Sequence, residues 1–503
     1  LTATASESGD FLGHPRGLVI LFLTEMWERF SYYGMRSLLI LYLTQHFLFS
    51  DSRSALIYGA YTALVYISAV IGGTLADRYL GARKAVTFGA ILLVCGHAGM
   101  AVEGTQPFYR NILYLSLATI IAGVGFLKAN VSTLLGSLYG ATDRRRDSGF
   151  TIFYMGINLG GFLAPLLCGY LGITYGWRYG FGLAGVGMAL GLMTFTIGRP
   201  MLAGRGEPPD PVKLKEPLWL FVDRELLCYG FGLVMIAVAT LLVVYNEIIG
   251  ELLPWLGVGM LAFLACYAVM GFARIERDRM LVAIYVIVAQ IPFVALYEQA
   301  GSSFNLFTDR LVDRTVAGWT VPAPMFQSLD PAFIFLLAPV VAWLWVKLAR
   351  RNLEPSTPVK LSLAICAVGL SFLALVAGMK QSGPAGLTSL GFVVLVYFIN
   401  TVGELLLVPV SLSAMTQLSP AKLGGLMMGA WFLYSGMANY VAGMVAQTTG
   451  AKTVGGAIVD LGAAKANYEA VYGHTAWVAI AAGVVMFLLS PLLTRMMHVE
   501  GKH

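Results

Sequence analysis

Two carboxylates and a guanidinium stand close together in the stretch Glu25-Met-Trp-Glu28-Arg29-Phe-Ser-Tyr32-Tyr33-Gly34, inside a segment otherwise apolar enough to cross a membrane. At about 100° per residue, Glu25, Glu28, Arg29, Tyr32, Tyr33 and Arg36 fall on one helix face, an arc of roughly 140°. Ile20 and Leu41 fall on the opposite, apolar face. A charge at mid-bilayer costs about 2.5–3.5 kcal/mol on insertion scales. Such a stripe needs ionic partners and a polar cavity. The bland alternative is a helix-end ion pair that only packs, but ionisable residues within a membrane mark function by default.

The elements that hold this stripe follow from composition. Of 503 residues, 58% are hydrophobic and only 12% charged, against about 25% charged in a soluble domain. Apolar runs long enough to span recur along the chain, so the protein is an all-α integral membrane protein. The net charge of +6 follows from basic loops on one side of the membrane and requires no nucleic acid. The five cysteines and six histidines are scattered, without metal-ligand spacing, and read as buried thiols and core imidazoles. His97, in an apolar segment, reads as a hydrogen-bonded core residue rather than a proton relay. The polar start, Leu1 to Asp10, lacks the basic region of a secretory signal and reads as part of a flexible tail over 1–15.

Apolar spans are predicted near 16–48, 53–79, 83–103, 110–140, 146–174 and 178–198, forming a bundle over 16–198. A proline-rich linker over 199–223 leads to an extra pair, 224–246 and 251–273, assigned to a segment 224–273. Six more follow near 280–310, 327–351, 359–379, 386–417, 422–447 and 473–497, a second bundle over 274–497, with a tail over 498–503. Arg83-Lys84, Arg144-Arg145-Arg146, Lys213/Lys215, Arg274/Arg277/Arg279 and Lys347/Arg350/Arg351 occupy alternate loops, which places those loops and both termini in the cytoplasm.

Two six-span halves suggest an internal repeat. The loop Gly73-Thr-Leu-Ala-Asp77-Arg78-Tyr-Leu-Gly81-Ala-Arg83-Lys84 resembles the loop between the second and third helices of the major facilitator superfamily. The spans count to fourteen transmembrane helices. The resemblance implies a major facilitator fold of two six-helix bundles around a central cavity. The two extra central helices, with no charge away from their ends, read as a scaffold.

Mid-span charges beyond the first helix are few: Lys128, Glu298, Glu404 and, near the start of a span, Asp330. The first half offers Arg29, Arg36 and Lys128 against Glu25 and Glu28; the second offers only carboxylates. A cavity enclosed by both would be bipolar and would suit a zwitterion. Tyr32, Tyr33, Tyr66, Tyr154, Phe293, Trp431 and Tyr434 are the aromatic residues suggested for its lining. A carboxyl whose cation is taken by substrate binds a proton instead, which couples proton to substrate. Glu25, Glu28 and Glu298 are the proton candidates.

The motif over 25–34, with Phe153-Tyr-Met-Gly-Ile-Asn158-Leu-Gly160-Gly-Phe162 in the fifth span, is similar to the two signatures of the proton-coupled oligopeptide transporters, a branch of that superfamily. The likeness runs over 16–497, and the extra pair resembles bacterial members. It implies symport of di- and tripeptides with protons, in the cell inner membrane, by a monomer without a cofactor other than protons. It implies proton coupling at Glu25, Glu28, Arg29, Lys128 and Glu298. Arg29, Arg36 and Lys128 are implied to face the peptide carboxylate, and Asn158, Tyr33 and Tyr66 to contact peptide. Glu298 is implied to release Arg36 on protonation, Glu404 to hold the amino terminus, and Trp431 and Ser435 to line a pocket.

The chain departs from the pattern in three places. Phe293-Val294 stands where many relatives have Phe-Trp, and Tyr297 where some have a second acid. Asp330 replaces a usual Asn; it strengthens binding of the peptide ammonium, adds a titrating group, or caps the following helix. Competing readings are a carrier of nitrate or another small anion, a peptide sensor, and a membrane enzyme. Glu404 argues against the first, the intact proton cluster against the second, and the lack of any nucleophile or metal constellation against the third.

Overall fold

Long apolar runs bounded by proline, glycine and small polar residues dictate helices, and the computed structural model has helices almost throughout. It describes residues 10–11, 13–140, 142–219, 222–420 and 423–498. The remainder of the expected tails, 1–9, 12 and 499–503, lies outside the described residues, as does the start of the span expected over 422–447. The first helices are α1 (Gly17–Leu41), α2 (Asp51–Leu75), α3 (Ala82–Met100), α4 (Pro107–Leu138), α5 (Arg146–Tyr175) and α6 (Trp177–Gly198). A short α7 (Pro211–Lys215) precedes α8 (Arg224–Val244) and α9 (Glu247–Gly271). Then come α10 (Arg274–Tyr297), α11 (Ser303–Leu311), α12 (Leu329–Ala349), α13 (Thr357–Gln381), α14 (Leu390–Leu418), α15 (Gly424–Thr448) and α16 (Leu461–Met496). Among the described residues, eleven helices are long and apolar enough to cross a membrane. The charge-bearing α1 is the instructive omission: Glu25, Glu28, Arg29 and Arg36 lower its apolarity.

Local chemistry sets the boundaries. Pro107 opens α4, where a missing N–H costs nothing. Asp460 accepts from Ala463 N at 3.0 Å and caps α16, so this helix begins twelve residues before the expected 473. Gly176, at φ 121°, separates α5 from α6 in a conformation other residues rarely adopt. The seventh span is not continuous. A 3-10 turn over Glu298–Gly301 divides α10 from α11, so Glu298 sits at a break rather than mid-helix. Cys168 and Cys228 are buried as expected, but Cys95 and Cys266 are exposed.

The chain forms two compact units. One holds the described residues up to Leu38 together with Ile67–Leu241; the other holds Leu39–Tyr66 together with Leu242 onward. These boundaries cross α1, α2 and α8, and so differ from the bundle limits drawn from sequence.

Within the first unit, glycines bring helices to backbone contact. A Cβ on Gly72 of α2 would meet Gly125 O of α4 at 2.2 Å, and one on Gly89 of α3 would meet Gly123 O at 2.6 Å. Such packing replaces the missing hydrophobic drive between helices in lipid. The proline-rich linker is a strap rather than a free tether. Arg83 N donates to Gly206 O at 2.9 Å, and Arg83 pairs with Glu207. Lys84 and Lys215 both reach Glu225 Oε2, at 2.6 and 2.8 Å. That carboxylate holds the Lys215 ammonium above its usual range, chiefly by accepting its hydrogen bond.

In the second unit, α9 docks on α15. Tyr434 donates to Gly257 O at 2.6 Å and Tyr440 to Asn246 O at 3.1 Å. Its other faces are apolar and open, with Trp255 78% and Met270 81% exposed, as suits a helix surrounded by lipid. The charges of the extra pair lie toward the starts of its helices, at Arg224, Glu225, Glu247 and Glu251.

Gly72→Ala is expected to lower the thermal stability of the purified protein by about 1–3 kcal/mol, because a methyl group would overlap a backbone carbonyl that cannot rotate aside. Melting followed by size-exclusion chromatography of heated samples checks this; an unchanged midpoint would show that the helices simply move apart.

Candidate functional site

In the first unit, the charged stripe of α1 closes on itself. Arg29 donates through Nη2 to Glu28 Oε1 at 2.8 Å, and its Nε bonds Glu28 Oε2, so the pair is bidentate. Glu25 Oε1 lies 3.3 Å from the same Nε. Glu28 is completely buried, and Glu25, Arg29 and Arg36 nearly so. Glu25 Oε2 is buried and accepts no hydrogen bond among the described residues. Lys128, on α4, acts on Glu25 through its charge. The Arg29 guanidinium stands 5.2 Å from the Tyr32 ring, and that of Arg36 5.9 Å from the Tyr33 ring, distances at which a ring face attracts a cation.

The second signature explains why α1 can be so crowded. A Cβ on Gly160 of α5 would meet Met26 O at 2.3 Å and Arg29 Cβ at 3.1 Å; one on Gly156 would meet Phe22 O at 3.0 Å. These glycines press α5 onto α1. Asn158 lies between them in sequence, buried, and donates to Tyr154 O at 3.0 Å. From the α1 side, Gly34 admits the Cys168 thiol. The two motifs are therefore two faces of one helix contact.

The second unit gathers the carboxylates. Glu298 is buried at the break after α10. Next to it, the Tyr297 phenol oxygen lies within hydrogen-bond distance of two carboxylates, 2.6 Å from Asp330 Oδ2 and 2.9 Å from Glu404 Oε2. Thr401 donates to Asp330 Oδ1 at 2.8 Å. Asp330 therefore does not cap α12; the residue before that helix is Ser328, whose side chain makes no capping bond either. The side chain of Asp330 turns toward Tyr297 and Thr401. Ser435 donates to Gln290 Oε1 at 2.9 Å and also to Trp431 O, which joins α15 to α10.

Two suggested lining residues have other duties. Phe293 is enclosed, stacked on Tyr297 with ring centroids 5.5 Å apart, beneath Gly403. Tyr434 is enclosed too, and spends its hydroxyl on α9. Tyr66 falls in the second unit and Tyr33 in the first. His97 is fully buried, but among the described residues neither ring nitrogen has a hydrogen-bond partner, which differs from the hydrogen-bonded core residue expected.

Sequence reasoning missed a buried ionic cluster in the second unit. Arg310 of α11 pairs with Asp51 of α2 at 2.8 Å, their side chains 8% and 3% exposed. Asp51 Oδ2 also accepts from Ala451 N at 3.1 Å. Beside it, Asp309 accepts from Gln45 at 2.8 Å and pairs with Arg314 at 3.1 Å. The signal was present in Asp309-Arg310 near the end of an apolar span, but helix-end charges there read as an ordinary loop. Among the described residues no group of His, Cys, Asp and Glu could hold a metal.

Comparison with known proteins points one way. The profile described as the POT family matches residues 83–461. The chain is 37% identical to the uncharacterized transporter YclF of Bacillus subtilis (strain 168), covering 97% of this chain and 96% of that one. It is 32% identical to dipeptide and tripeptide permease A of Yersinia pestis, over 99% and 96% of the two. A crystal structure of a mutant peptide transporter POT in complex with alafosfalin superposes with TM-score 0.83 at 36% identity, covering 97% of each chain.

Asp51→Asn is expected to destabilise the protein by about 3–5 kcal/mol, because Arg310 stays buried with its counter-charge removed. Two of its guanidinium nitrogens, Nε and Nη2, already lack a partner. Adding Arg310→Met should recover most of that loss. Thermal unfolding of the single and double variants tests the coupling; strict additivity would mean that the pair contributes nothing.

Proposed function

The chain belongs to the POT family, a multi-pass membrane protein of major facilitator fold and not an enzyme, and from that premise we propose that it carries di- and tripeptides into the cell together with protons. The observation that carries this reading is the buried Glu25–Glu28–Arg29 cluster on α1. Arg29 cannot serve both Glu28 and an incoming carboxylate at full strength. When the peptide carboxylate draws Arg29, with Arg36 and Lys128, toward itself, Glu28 is left buried without its cation. Taking up a proton removes that penalty. By linkage, a proton already bound there favours peptide to the same degree.

The peptide ammonium is assigned to Glu404 and Asp330, and the peptide backbone to Asn158, Tyr33 and Tyr66. Trp431 and Ser435 face a side-chain pocket in this scheme. Glu298, at the break after α10, supplies a further proton site where a change in charge bears on backbone geometry. Alternating access follows: protonation and peptide binding neutralise the buried charges, the units rearrange, and both cargoes leave on the other side. The basic loops support an orientation with both termini in the cytoplasm, and the membrane in this scheme is the cell inner membrane. The working form is a monomer in lipid, with protons as the coupling ion and no other cofactor.

Uptake of labelled dialanine into proteoliposomes under an inward proton gradient tests the reading. Accumulation above equilibrium that collapses with a protonophore is the expected result. Saturable binding without uptake would favour a sensor, and neither would favour a small anion as cargo. Glu28→Gln should abolish accumulation while sparing peptide exchange; persistent accumulation would remove Glu28 from the coupling scheme. Glu404→Gln should weaken peptides with a free amino terminus by about ten- to hundredfold, the worth of a hydrogen bond to a charged group. Equal loss for amino-blocked peptides would count against that assignment.

A further inference from the structure

Lys465, on α16, carries its ammonium group into a ring of oxygens. The residue is 1% exposed. Its Nζ donates to Gly383 O at 2.6 Å, to Gly386 O at 2.9 Å and to Ser382 Oγ. An ammonium has three N–H donors and no acceptor, so donors and acceptors match one to one. All three acceptors are neutral and lie in the segment between α13 and α14; Glu469, one turn further along α16, adds a favourable charge. The segment holds its shape on itself. Gly383 has φ 69°, a conformation that favours glycine. A Cβ on Gly386 would meet Ser382 O at 2.2 Å.

The same segment is fastened a second time. Thr388–Ser389 pairs in parallel with Val312–Asp313, which directly follows α11, and Thr388 is fully buried. The rest of α11 meets α16 directly. Tyr468 donates to Ser303 O at 3.2 Å, and the Tyr472 and Ser303 hydroxyls lie 2.7 Å apart. Phe307 packs on the Tyr468 ring with centroids 5.3 Å apart. At about 100° per residue, Lys465, Tyr468 and Tyr472 share one face of α16, an arc of roughly 60°.

We propose that residues 382–386 form a pre-formed seat for a primary ammonium group, filled by Lys465, and that this staple positions the end of α11 through the Thr388–Ser389 strand. Lys465 is thus a positioning residue. The two tyrosines hold the start and middle of α11, the lysine holds its end, and α16 carries the short helix that follows the break at Glu298–Gly301. The staple is independent of which cargo the protein carries.

Hydrogen exchange of the purified full-length protein, read by mass spectrometry, tests the staple. Lys465→Met keeps the reach of the side chain and removes its donors. Exchange should quicken about tenfold or more over 382–389 and over 312–313, and stay unchanged over α10, α12 and α15. No change anywhere would overturn the staple, and faster exchange over 382–389 alone would overturn its reach to α11. Faster exchange throughout the second unit would mean general loosening and overturn the positioning role. Gly386→Ala distorts the seat with the lysine in place; it should give the same local pattern, and serves if the first variant does not fold. The seat itself is tested with Lys465→Ala and added propylammonium, with propanol as the neutral control. Protection restored by propylammonium alone is the expected result. Restoration by both would overturn ammonium recognition, and restoration by neither would overturn a pre-formed seat.

Discussion

A guanidinium buried between two carboxylates in a membrane helix is the constraint on which the rest of the first unit depends. Arg29 and Glu28 are stable where they are only because each completes the other; removing one partner of such a pair costs about 3–5 kcal/mol. The surroundings are arranged to keep water and lipid away from them. Gly156 and Gly160 let the backbone of α5 approach α1 closely, and Gly34 makes room for Cys168 from the other direction. Beyond this contact, Gly72, Gly125, Gly89 and Gly123 repeat the device among α2, α3 and α4. Small residues there are a packing requirement that follows from carrying charge in lipid.

The second unit handles charge differently. There, Asp330 and Glu404 are joined through the phenol of Tyr297. Phe293 supports that ring from below, and the break at Glu298–Gly301 begins at the next residue. Backbone irregularity, aromatic support and acidic side chains are therefore concentrated in one short stretch of chain. Discontinuous helices at membrane depth are tolerated where they are buried in protein or line a cavity. Here the buried hydroxyl of Ser303 accompanies the break, bonded to Tyr472 at 2.7 Å.

Much of this was legible in the residues. The stripe on α1 shows itself because four charges in an apolar run leave few alternatives, and periodicity places them on one face. The long helices follow from hydropathy and from punctuation such as Pro107 and Gly176. Other features were hidden because they depend on contacts distant in sequence. The pairing of Asp51 with Arg310 spans 259 positions, and neither residue is unusual locally. An aspartate one place into a helix, as at 330, has the pattern of a cap, and only Thr401 and Tyr297 reveal its other attachment. Phe293 and Tyr434 looked like lining because they neighbour functional positions, whereas neighbours on a helix point in different directions. Linker composition predicted the absence of a long helix over 199–223 but not the carbonyls and carboxylates that fasten it.

The attachment of α9 to α15 has a consequence for how this architecture varies. Tyr434 and Tyr440 grip α9 by main-chain oxygens, at Gly257 and Asn246. Such a grip does not read the side chains of the helix it holds, apart from the need for a small residue at the crossing. Most of α9 can therefore drift in sequence as long as it stays apolar. This helix is identified by its outline and not by its spelling, and its outer faces are open to substitution.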